Sequence, residues 1–88
     1  MKFTASVEVS LLAGIANPEA ATIEHSLPLL GITTVSDVQV GRLFRFVIDA
    51  HDAEAALETA RSLADRLLAN PVMERAEVAV GPWRDASR

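Results

Sequence analysis

Eighty-eight residues, half of them apolar, suffice for one domain with one core. A formal net charge of −4 argues against a general nucleic-acid surface, which needs a basic footprint, and no apolar run is long enough to span a bilayer. The chain has no cysteine, which rules out disulfides, thiolate metal sites and thiol chemistry and fits a reducing, cytoplasmic location.

The N-terminus, Met1-Lys2-Phe3-Thr4, leads into an alternation and not into the apolar block of a signal peptide. Phe3, Ala5, Val7, Val9 and Leu11 alternate with Thr4, Ser6, Glu8 and Ser10, the pattern of a half-buried strand. After the loop Leu12 to Ala16, Asn17-Pro18-Glu19 reads as a helix start: a cap, proline at the first helical position, and an acid in the first turn. Ala20, Ile23, Leu27 and Leu30 follow at helical spacing, and Gly31 closes the segment. Pro28 removes the bond to the Glu24 carbonyl, so a kink or early end is expected there.

Val35 to Val40 alternates imperfectly and reads as a second strand. Gly41-Arg42 is the expected tight turn into a third, Leu43 to Ile48, with glycine supplying the positive backbone angle of a two-residue hairpin. Asp52 is the expected cap of a second helix. Ala56, Ala60, Leu63 and Leu67 form its apolar stripe, widened by Leu57, Ala64 and Leu68. The octet Leu67 to Glu74 ends this helix: Leu67 and Leu68 hold the last turn on the core, Asn70 takes a left-handed conformation, and Pro71 blocks continuation. Ala76, Val78 and Val80 make the last strand, which Gly81-Pro82 breaks. Residues 1–81 are thus expected to form one domain and residues 82–88 a polar, flexible tail containing Trp83.

The order strand, helix, strand, strand, helix, strand uses a βαβ unit twice. Right-handed crossovers favour the α+β, ferredoxin-like plan: a four-stranded antiparallel sheet with two helices on one face. The other face, with Leu43 and Val47, is left uncovered. A core this small is marginal alone, so oligomerisation through the sheet is expected.

No residue stands out as catalytic. His25 and His51 have no metal-ligand spacing with each other or with an acid pair, and Asp49 and Asp52 are explained by a strand end and a cap. Phe44 and Phe46 read as core and not as an RNA-stacking strand. The first loop lacks the glycine motif and arginine of a phosphate site. Arg42, a basic turn residue, is the sharpest candidate for a partner contact.

Several segments in succession resemble the small subunit of phosphoribosylformylglycinamidine synthase, the PurS family. They are Val7-Glu8-Val9-Ser10-Leu11, Asn17-Pro18-Glu19-Ala20-Ala21 with Leu27 and Leu30-Gly31, Val38-Gln39-Val40-Gly41-Arg42, and Leu67-Leu68-Ala69-Asn70-Pro71-Val72-Met73-Glu74. The family's lysine after the first strand is Leu12 here, its aspartate before proline is Asn17, and its hairpin Arg and Lys are Gln39 and Arg42. The resemblance implies a non-catalytic subunit of an amidotransferase complex in purine biosynthesis. Such a subunit is a homodimer or tetramer that bridges a glutaminase subunit and a large synthetase subunit and supports ammonia transfer. It also implies no cofactor on this chain, with ATP and Mg used by the synthetase. The expected partner interface is Asn17, Pro18, Gly41, Arg42, Asn70 and Pro71. The alternatives are a ferredoxin-like regulatory domain, binding a small molecule at a dimer interface near Gly14 and Asn17, and a stand-alone enzyme, for which the chain offers no candidate residue.

Overall fold

The computed structural model describes residues 1–83, so of the polar tail expected at residues 82–88 the part from residue 84 onward lies outside the described residues. Strand β1 (Lys2–Leu11) is followed by helix α1 (Pro18–Ser26), a 3-10 turn (Pro28–Leu30), strand β2 (Gly41–Asp49), helix α2 (Ala53–Leu63), a π-helical turn (Ala64–Leu68) and strand β3 (Glu74–Pro82). The sheet is antiparallel with three strands in the order β2-β1-β3. In register, Val7 lies opposite Phe44 on one side and Val78 on the other.

Period two decides which face of β1 is buried. Phe3, Ala5, Val7 and Val9 are all buried. Against them lies the helical stripe Ala56, Ala60 and Ala64, each at most 1% exposed. Alanine at every fourth position brings the α2 backbone close to the sheet. Phe3, Ala5 and Ile48 pack with Ala56 and Ala60, whereas Val7 and Val9 pack with Ala64. Phe44 and Phe46 lie on this face among the partly buried residues around the core, as the packing reading requires.

The helix starts follow the sequence. Asn17 Oδ1 accepts from the backbone N–H of Glu19 and Ala20, and Asp52 Oδ1 accepts from Ala55. Pro28 ends α1 and begins the 3-10 turn, which closes on Gly31 in the left-handed region.

Several expectations need correction. First, Val35 to Val40 forms no strand. Its alternation is broken by Asp37 at φ +58°, and Val38 N–H is bonded to the Glu24 carboxylate and not to a neighbouring strand. Among the described residues the sheet therefore has three strands and not four. Second, Gly41 is not a hairpin turn: it stands in the strand without positive φ and opens β2. Third, β3 runs through Gly81 to Pro82. Proline is tolerated there because β3 is an edge strand. Fourth, Leu67 does not hold the helix on the core, being 74% exposed. In the π-helical turn Ala69 N–H bonds back five residues to Ala64. This wider turn rotates Leu67 outward and leaves Leu68 half-buried.

Among the described elements, α2 and the π-helical turn after it cover the sheet. Helix α1 packs against the 3-10 turn and makes no comparable contact with any strand. Of its expected stripe only Ala20 is buried, while Ile23 and Leu30 are exposed. The radius of gyration is 16.6 Å, against roughly 12 Å for a compact chain of this length. Residues 12–40 thus form an arm beyond the end of the sheet.

Candidate partner-docking end of the sheet

The three strands share one end, where β1 finishes. Ser10 lies opposite Gly41 on one side and Arg75 on the other, and Leu11 lies opposite Glu74. Leu12 N–H then donates to Met73 O at 2.8 Å, tying the start of the arm to the chain just before β3.

Asn70 organises that crossing, though not by a left-handed backbone. Among the described non-glycine residues only Asp37 has positive φ. Pro71 pushes the preceding residue towards extended angles, and the Asn70 side chain closes the turn instead. Its Oδ1 accepts from Val72 N–H at 3.1 Å, and its carbonyl accepts from Met73 and Glu74. Proline and this turn leave Val72 and Met73 pointing outward, 79% and 44% exposed.

Glu74 joins this turn to β2. One carboxylate oxygen accepts from Asn70 N–H at 2.8 Å, and the other faces Arg42 Nη2 at 3.4 Å. The Arg42 guanidinium also lies 5.5 Å from the Phe44 ring centre. Gly41, next in line, is required by close approach: a Cβ there would stand 2.5 Å from Val9 O.

The structure therefore connects Arg42 with Asn70 and places Gly41 and Pro71 beside them in the chain. Asn17 caps α1 and lines an open cleft of about 410 Å³ with Leu12, Gly14 and Val40, the residue before Gly41. Pro18 takes no part in these bonds. Glu74 is the residue that sequence reasoning missed. Only its position opposite Leu11, across β1 from Arg42, reveals the link, and that is a tertiary fact.

Among the described residues no group of three or more His, Cys, Asp or Glu could hold a metal ion. His51 pairs with Asp52 at 3.1 Å, both largely exposed. Trp83 lies with its ring 5.5 Å from Lys2 Nζ. Among the described residues no helix is long and apolar enough to cross a membrane.

The family described as PurS, phosphoribosylformylglycinamidine (FGAM) synthase, matches residues 4–82, from β1 to the last residue of β3. The chain belongs to the PurS family. Phosphoribosylformylglycinamidine synthase subunit PurS of Methanothermobacter thermautotrophicus is 39% identical over 80 residues, covering 91% of this chain and 94% of that protein. The crystal structure of Thermus thermophilus PurS superposes with a TM-score of 0.83 at 32% identity, over 96% of this chain and 100% of that one. A chain in the structure of PurLQS from Thermotoga maritima gives the same TM-score at 26% identity, over 91% and 98%.

Proposed function

We propose that this chain is the small accessory subunit of phosphoribosylformylglycinamidine synthase in purine biosynthesis. In this reading it has no active site of its own, bridges the glutaminase and synthetase subunits, and supports passage of ammonia between them. The observation that carries the proposal is the family match over residues 4–82, reinforced by the likeness to a chain of PurLQS. The ATP and Mg of the reaction belong to the synthetase subunit, and the complex works in the cytoplasm. A docking subunit needs shape and a few anchors. The interface is the end of the sheet bearing Gly41, Arg42, Asn70 and Pro71, together with Asn17, which lines the cleft, and Pro18 next to it in the chain.

A second copy of the chain is the further partner. Its support is the arm of residues 12–40, whose Leu29 and Leu30 are 87% and 71% exposed. Large apolar side chains on a turn that does not pack on its own sheet cost free energy unless another surface covers them.

The test is product formation by the cognate synthetase and glutaminase subunits, with glutamine and then with ammonia as nitrogen source. This chain is expected to be required with glutamine and dispensable with ammonia. If it alters neither rate, the proposal is wrong.

A further inference from the structure

We propose that Glu74 is a positioning residue for assembly of the complex, acting through Arg42 and not by touching a partner subunit. The inference rests on the accessory-subunit reading above and names the residue that organises its interface.

The geometry assigns the two residues different parts. The Glu74 side chain is 19% exposed and that of Arg42 is 61%. A carboxylate so withdrawn is poorly placed to meet another protein, whereas the guanidinium is open to one. Both Glu74 oxygens are engaged inside the molecule, with Asn70 N–H and Arg42 Nη2, and its own N–H donates to Asn70 O at 2.7 Å. Among the described residues it is the only carboxylate paired with Arg42.

The bond spans the sheet. Arg42 lies on β2 opposite Val9, and Glu74 begins β3 opposite Leu11, so the pair crosses β1 and joins the two edge strands. Without it, Arg42 keeps only its contact with the Phe44 ring, and its long stem lets the charge sweep a wider volume. With it, the guanidinium is held beside the turn that presents Val72 and Met73. The result is a fixed cation next to an exposed apolar pair, a combination suited to a partner surface with a carboxylate beside an apolar pocket. Holding the charge in place before association lowers the ordering cost at binding.

The experiment is a double-mutant cycle in the full chain, read as affinity for the cognate synthetase and glutaminase subunits and as melting temperature. Glu74→Gln keeps an oxygen for Asn70 N–H and nearly the same volume but removes the charge that holds Arg42. Arg42→Gln removes the cation itself. Each is expected to weaken assembly about fivefold, the upper range for an exposed pair. The double variant is expected to be no worse than Arg42→Gln alone, because both changes remove one arrangement. The melting temperature of Glu74→Gln is expected to fall by no more than about 2 °C.

Wild-type assembly by Glu74→Gln overturns the proposal, as does multiplication of the two effects in the double variant. A large loss of melting temperature also overturns it, since Glu74 would then serve the folding of the turn. If the unmodified chain does not associate with those subunits, the accessory-subunit reading fails first and takes this proposal with it.

Discussion

Gly41→Ala tests how closely β2 approaches β1. The added Cβ would lie 2.5 Å from Val9 O and 3.4 Å from Val9 C, both backbone atoms of a residue 1% exposed. Contacts under 3.0 Å are essentially never seen for real Cβ atoms, so one of the strands must move. The least costly relief opens the end of the ladder at the Ser10–Gly41 pair. Losing one such backbone bond costs about 1 kcal/mol, and the displaced packing around Val9 adds about 1 to 2 kcal/mol. Alanine returns roughly 0.4 to 1 kcal/mol by restricting the unfolded chain. The net expectation is about 1.5 kcal/mol, which lowers the melting temperature of a domain of this size by roughly 6 to 12 °C. Thermal denaturation at one fixed protein concentration measures it, since association would shift the midpoint by mass action. Gly81→Ala is the internal control: it has no positive φ and nothing within 4 Å of its added Cβ, so it is expected to stay within about 0.5 kcal/mol of the parent. If both variants melt together with the parent, the close approach at Gly41 does not exist and the reasoning fails.

Asn70→Ala removes the acceptor for Val72 N–H and is expected to cost about 1 kcal/mol. Chemical denaturation reads the loss, and an unchanged midpoint would mean that proline alone shapes the turn. The double change Leu29→Asp and Leu30→Asp alters two exposed side chains that α1 does not need for its own hydrogen bonds. It is expected to leave the far-ultraviolet circular dichroism of the chain unchanged and to shift sedimentation towards the single chain. Retention of the parental sedimentation coefficient would show that this part of the arm covers no second copy.

The sequence was legible where a local rule and the packing agree. Alternation placed β1 and its buried face, Asn17 and Asp52 capped as their types suggest, Pro28 stopped α1, and Gly31 closed the turn after it. It misled where a local signal depended on a neighbour. Val35 to Val40 has the composition of a strand, but a strand requires a partner edge, and within one chain the segment bonds to Glu24 instead. Gly41 signalled a turn because glycine permits positive φ; the reason for it is the nearness of Val9 O, which no local pattern records. Leu67 fell on the apolar stripe by its spacing, and one widened turn moved it off. In the candidate interface, Arg42 and Asn70 were visible as punctuation of the chain. Their connection through Glu74 was not, because it bridges strands that only the fold brings together.

The central position of β1 has a consequence for biosynthesis. This strand is made before either of its partners, and β3, which sets Pro82 opposite Phe3, is made later than β2. The other edge of β1 waits for β2, and its buried face waits for the alanine stripe of α2. At translation rates of about 5 to 20 residues per second, the Val7 and Val9 face stays uncovered for several seconds, long on the scale of hydrophobic collapse. Serine, threonine and glutamate at alternate positions keep the other face of that waiting strand wet, a safeguard against pairing with neighbouring nascent chains.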